Sequence, residues 1–128
     1  ILLIGFGRFA QVVSQSLLAR DFNVSIIESD VEMIRTAANF GFKVYYGDGT
    51  RLDVLHASGA AHAEAILVCV DKRDAASRIA ERVKQHFPLT KLYVRAYDRG
   101  HAIDLIRLGV DYQIRETFES AMRFSDAI

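Results

Sequence analysis

Short apolar runs alternate along the chain with segments whose apolar residues recur every three or four positions, and glycines mark most of the joins. Residues 1–4 (ILLI) read as a buried strand stopped by Gly5, and residues 8–20 place Phe9, Val12, Val13, Ser16 and Leu17 on one helical face. A second strand is expected at 24–28, with Asp30 positioned to cap the helix that follows and runs to about Gly41. The third strand is 43–46, broken by Gly47-Asp48-Gly49. Thr50 and Asp53 have the spacing of a capping box at the head of a short helix that ends at Ser58-Gly59. The fourth strand (65–70) is almost continuously apolar, and Ala76, Ile79, Val83 and Phe87 then keep helical spacing up to Pro88. A fifth strand (91–95), a helix (99–108), a sixth strand (111–114) and a last helix from about 116 complete the pattern.

Six strand–helix alternations predict an α/β fold: a Rossmann-like, doubly wound, six-stranded parallel sheet in the order 3-2-1-4-5-6, with helices on both faces. Strands that are apolar on both sides fit such a sheet, because both of its faces are covered. Residues 1–128 are expected to form a single domain. The chain opens inside an apolar run and closes inside a helical one, so it is read as a domain cut from a longer protein.

Composition narrows the function. The 128 residues are 51% hydrophobic and 25% charged, with sixteen basic and sixteen acidic side chains. That balance lacks the basic excess expected of a nucleic-acid binder. No apolar stretch approaches the ~18 residues of a membrane span. One cysteine excludes an internal disulfide framework, and no Cys/His spacing suggests zinc.

The chemistry concentrates at the first turn. Gly5-Phe6-Gly7-Arg8-Phe9-Ala10 is a G-x-G-x-x-A sequence that follows a strand and opens a helix. The first glycine permits the turn, the second lets a pyrophosphate approach the backbone, and the alanine keeps helix and sheet close. The helix N-terminus offers N–H groups to an anion. Glu28 ends strand two, where a carboxylate accepts from ribose hydroxyls and repels a 2′-phosphate. An adenosine ribose without that phosphate, as in NAD(H), AMP, ADP or ATP, is therefore favoured over NADP. Around this centre Phe6, Arg8, Phe9, Ser29, Asp48, Gly49, Asp71 and Arg95 are expected to bind the nucleotide as well. Arg8 would reach a phosphate, and Asp48 would either accept from the adenine amino group or simply form an Asp-Gly turn. Asp71 would meet the ligand or cap the next helix. With Arg8, Arg95 and Arg115 all at the carboxyl edge of the sheet, the neutral chain is expected to hold a locally positive cleft.

Arg115 opens the last helix, where an Arg115–Glu119 pair would contribute ~0.2–0.5 kcal/mol. The alternative is a carboxylate-binding fork at the ligand edge. No nucleophile–base–orienter set can be assembled. His56, His62, His86 and His101 read as structural, and Cys69 as an inert core thiol, so no enzyme is expected. A fragment of an NAD-dependent dehydrogenase is the rival reading.

GFGRFAQ, KVYYGDGTRLDVL, HFP, RAYDRGH and RETFESA together resemble the cytoplasmic regulatory domain of glutathione-gated potassium-efflux (Kef-type) antiporters, along essentially the whole chain. GFGR is shared with many potassium-transport domains; the other segments are more specific. The resemblance implies a homodimer at the cytoplasmic face of the bacterial inner membrane, beneath a proton/potassium antiporter domain lying upstream in the same protein. It implies AMP or NAD(H) in the cleft, and glutathione or its adducts as regulatory ligands with Arg115 in their site. A further asparagine of that site would lie beyond Ile128. It also implies a flavodoxin-like ancillary subunit. Ala10 departs from the glycine frequent in the family. A nucleotide-gated domain of a potassium uptake system is the related alternative.

Overall fold

The computed structural model describes residues 1–128 throughout. Its strands are β1 (Leu2–Ile4), β2 (Ser25–Glu28), β3 (Lys43–Tyr46), β4 (Ala65–Val68), β5 (Lys91–Ala96) and β6 (Tyr112–Arg115). Its helices are α1 (Arg8–Ala19), α2 (Val31–Asn39), α3 (Leu52–Ala57), α4 (Arg73–His86), α5 (Arg99–Leu108) and α6 (Glu116–Asp126), with a 3₁₀ turn at Ala60–His62. The strands form one parallel sheet in the order 3-2-1-4-5-6, as the alternation predicts.

Strand registers sort the side chains into two cores. Leu3 lies beside Ile26 and Leu67. It joins Phe6, Ala10, Leu17 and Ala37 under α1 and α2. Leu2, Ile4, Ile66, Val68, Leu92 and Val94 point the other way and pack with Leu55, Ile79, Val83 and Leu105 from α3, α4 and α5. Burying a large aliphatic side chain contributes roughly 1.5–3 kcal/mol, so this larger face dominates cohesion.

Two local expectations fail. The stripe that α1 buries is Ala10, Ser14 and Leu17, flanked by half-buried Phe9 and Val13; Ser16 is exposed and Val12 is 73% exposed. Helical periodicity gives a face, but the neighbours decide which part of it is covered. The Thr50–Asp53 capping box does not form. Thr50 gives its hydroxyl and its N–H to Asp48 (2.8 and 2.9 Å), and Arg51 becomes the N-cap of α3 without a side-chain bond. Asp53 pairs with Arg51 instead. The Asp30 cap does form, accepting from the Met33 N–H at 3.1 Å.

The sheet is covered unequally. On the α1 side, Tyr93 and Tyr112 stand next to each other on β5 and β6, 37% and 55% exposed, with ring centroids 6.1 Å apart. α6 does not fold back over them and buries no residue of its own; Phe118, Met122 and Phe124 are exposed.

Candidate functional site

The carboxyl ends of β1 and β4 flank the point where strand order reverses, and a cleft of about 560 Å³ opens there. Gly5 turns the chain out of β1 at φ +89°. A Cβ on Gly5 would come within 2.9–3.1 Å of Val70, backbone included, so the position excludes any side chain. Gly7 is different. Its backbone is extended and a Cβ there would meet nothing within 4 Å. Neither φ nor protein packing requires this glycine, whereas close approach of a ligand to the backbone would. Gly7 is also the N-cap of α1 and supplies no side-chain cap, so the first-turn N–H groups remain for an anion. Ala10, fully buried, sets α1 against the sheet.

Glu28 locks this loop. One carboxylate oxygen accepts from the Phe6 N–H at 2.8 Å, and the other accepts from the N–H groups of Ser29 (2.8 Å) and Asp30 (3.2 Å). A carboxylate has about four acceptor positions, so one is left for a ribose hydroxyl.

Of the residues expected at the site, Gly5, Phe6, Gly7, Glu28, Ser29, Asp48, Gly49 and Asp71 line the cleft. Asp48 is an Asx turn: both bonds from Thr50 reach the same oxygen, which leaves the other for a ligand. Those bonds, the backbone one foremost, hold its pKa below the usual carboxylate value. Gly49 is a packing glycine, since a Cβ there would lie 2.5 Å from Ile4.

Arg8, Phe9, Arg95 and Arg115 do not line the cleft. Arg8 is exposed on the first turn of α1. Arg95 leaves β5 on the Tyr93 side, lies over the Phe9 ring (5.6 Å to the centroid) and is committed to two carboxylates. These are Asp71 at 2.6 Å and Glu116, at the head of α6, at 2.7 Å. Asp71 therefore pairs with Arg95 and does not cap α4, whose N-cap is Lys72. The Arg115–Glu119 pair is absent; the Arg115 guanidinium sits 3.9 Å over the Phe118 ring and makes no ion pair.

The locally positive cleft is thus a misreading. Its charged lining is Glu28, Asp30, Asp48 and Asp71 against Lys72 alone. Sequence reasoning passed over Lys72 and gave Asp30 only a helix-capping role. Their signal was present: each stands at a helix start just after a strand on one side of the switch point.

His101 is fully buried in the first turn of α5. Its Nδ1 accepts from the Tyr97 N–H at 2.8 Å, so Nε2 carries the proton and donates to Ser77 Oγ at 3.1 Å. Burial lowers its pKa below 6.5, and nearby Arg73 adds to the shift. The neutral form therefore stabilises the fold above that value, and the contribution is lost as pH falls through the folded-state pKa. Urea unfolding should show wild type losing stability between about pH 7 and about pH 5, with His101→Gln flatter over that interval. Equal slopes would show that His101 does not titrate with unfolding.

Comparison with known proteins bears on the family and the fold. The TrkA-N domain model matches residues 1–116. A glutathione-regulated potassium-efflux system protein of Haemophilus influenzae is 46% identical over 127 residues, covering 99% of this chain and 21% of that protein. The glutathione-regulated potassium-efflux system protein KefC of Escherichia coli is 39% identical over 123 residues, 96% of this chain and 20% of that protein. The chain thus spans about a fifth of the length of these curated relatives. The Shewanella denitrificans Kef C-terminal domain in its AMP-bound form superposes with a TM-score of 0.87 at 39% identity, covering 96% of this chain and 75% of that one. The TrkA-N domain of the E. coli inner membrane protein ybaL superposes at 0.90 with 17% identity, which speaks for the fold alone.

Proposed function

The chain belongs to the TrkA-N domain family, and we propose that it is the nucleotide-binding regulatory domain of a Kef-type potassium-efflux antiporter. The observation that carries the nucleotide part is the pairing of an open Gly7 cradle with Glu28 bonded across to the Phe6 N–H. In this reading phosphate rests on the first turn of α1, a ribose hydroxyl donates to the remaining acceptor position of Glu28, and adenine lies toward Asp48. AMP is the preferred occupant and NAD(H) the second, in line with the AMP-bound form of the Shewanella relative. The Glu28 carboxylate disfavours a 2′-phosphate at the same place.

Gating is favoured over hydride transfer by what the candidate reactive groups do. His101 has both ring nitrogens engaged inside the fold. Cys69 borders the cleft, but burial pushes its thiol up to about 12, far from a reactive thiolate.

The regulatory ligand proposed is glutathione or its adducts. Arg115, half-buried, stacks over the Phe118 ring and makes no ion pair, which leaves its guanidinium N–H groups for a carboxylate. The uncovered side of β5 and β6 supports a homodimer. Tyr93, Tyr112, Ile114 and Phe9 line an apolar hollow of about 220 Å³ there, and the unburied α6 of a second copy has the apolar residues to fill it. No helix here is long and apolar enough to cross a membrane. The antiporter domain would belong to the rest of a longer protein, with this domain at the cytoplasmic face of the inner membrane. The family resemblance adds a flavodoxin-like subunit to the assembly. Glutathione can close the transporter only if it binds the closed arrangement more tightly than the open one, and a bulky adduct would reverse that preference.

AMP at about 100 times its dissociation constant should stabilise the domain by about 2.7 kcal/mol, read as a rise in Tm. Glu28→Ala should abolish most of that rise; an equal rise in both proteins would remove Glu28 from the ribose. In the intact transporter, Arg115→Ala should relieve glutathione inhibition of potassium efflux, and unchanged inhibition would refute the Arg115 assignment.

A further inference from the structure

α6 leaves the sheet with little to hold it. It buries no residue, and its N-cap, Arg115, is the last residue of β6, so no linker intervenes. Apart from Arg115 stacked on Phe118, the one ion pair that joins α6 to the sheet is that of Glu116 with Arg95 Nη2, at 2.7 Å. The other end of the same guanidinium, Nη1, meets Asp71 at 2.6 Å. Its Nε is buried with no hydrogen-bond partner, and the Phe9 ring centroid lies 5.6 Å away. One cation therefore serves two carboxylates, one on the cleft wall and one at the head of α6.

The two ends of this bridge are unequal. The Asp71 side chain is 84% exposed and that of Glu116 36%, while Arg95 keeps 21%. The Asp71 end is the more solvated, hence the weaker and the more readily exchanged. It is also the end that a ligand meets. Asp71 follows Val70, which a Cβ on Gly5 would strike, so it stands beside the loop that receives the phosphate. An anion there repels the Asp71 carboxylate, which is free to turn into water. Arg95 is too enclosed to follow, and its charge then serves Glu116 alone. With Glu116 in place the cation is never left unpaired, a costly state for an enclosed charge.

Resting on the nucleotide reading above, we propose that Arg95 is a positioning residue that couples the cleft to α6: a bound nucleotide displaces Asp71 from the bridge and so tightens the hold of Arg95 on Glu116. Such coupling is reciprocal. The factor by which AMP strengthens the docking of α6 is the factor by which docked α6 strengthens AMP binding.

The test is calorimetric titration with AMP of wild type, Glu116→Gln, Glu119→Gln, Asp71→Asn and the Asp71→Asn/Glu116→Gln double variant, with hydrogen exchange of α6 followed in parallel. Glu116 does not line the cleft. A carboxylate acting only through its general field would, once neutralised, strengthen the binding of an anion. The bridge predicts the opposite sign: Glu116→Gln should weaken AMP binding by about two- to fivefold. Glu119→Gln, the same change of charge on an exposed and unpaired carboxylate of the same helix, should leave it unchanged or slightly stronger. Asp71→Asn empties the labile end of the bridge beforehand, so it should strengthen AMP binding and abolish the effect of Glu116→Gln. AMP should slow exchange of the α6 amides in wild type and not in Glu116→Gln. Unchanged or strengthened AMP binding in Glu116→Gln overturns the proposal, as does the same loss in the Asp71→Asn background. If wild type binds no AMP, the nucleotide reading falls and the coupling with it; intact AMP binding without the Glu116 effect removes the coupling alone.

Discussion

The carboxylate of Glu28 ties together the two turns that make the cleft. It takes the Phe6 N–H from the turn after β1 and the Ser29 and Asp30 N–H groups from the turn after β2. Hydrogen bonds to a charged group contribute on the order of 1.5–3 kcal/mol each, and less where water reaches them. Their greater effect is positional. With Phe6 fixed and Gly5 pressed against Val70, the loop has one shape before any ligand arrives. A preformed loop removes an ordering cost from binding. The same lock leaves Glu28 one acceptor position, so it can mark a ribose but cannot clamp it from two sides.

Away from the cleft, the structure is organised by what covers the sheet. α3, α4 and α5 cover most of one face, while α1 and α2 close only the β1–β3 half of the other. The β5–β6 half keeps its tyrosines in solvent, and α6 leaves the body without burying a residue. Arg95 sits at this boundary. Through Asp71 it touches the cleft rim, and through Glu116 it holds the head of α6. Asp71 is well exposed, so that half of the bridge contributes little to stability and mainly sets position.

The sheet order and the loop were legible because they rest on local rules: apolar runs bounded by glycine, and a fingerprint whose turn tolerates few residue types. The Thr50–Asp53 box was misread because Asp48 competes for the same hydroxyl, and one sequence spacing does not reveal the rival acceptor. Arg95 lies off the cleft lining for a different reason. A residue at the end of a strand lies at the ligand edge, but register decides on which side of the sheet it emerges. Arg95 pairs in register with Ile114, lies over Phe9 and reaches the cleft rim only through Asp71. Val12 shares a helical face with Leu17 yet is exposed, because periodicity does not show how far the neighbouring elements cover that face.

The central claim is that the Gly7 cradle and Glu28 together hold an adenine nucleotide. A crystal structure of the domain grown with AMP tests it most directly. The account predicts phosphate on the first-turn N–H groups of α1, one ribose hydroxyl within hydrogen-bond distance of Glu28, and a Phe6–Glu28 bond unchanged by binding. AMP bound elsewhere, or bound with the Phe6–Glu28 bond broken to make room for the ribose, would contradict it.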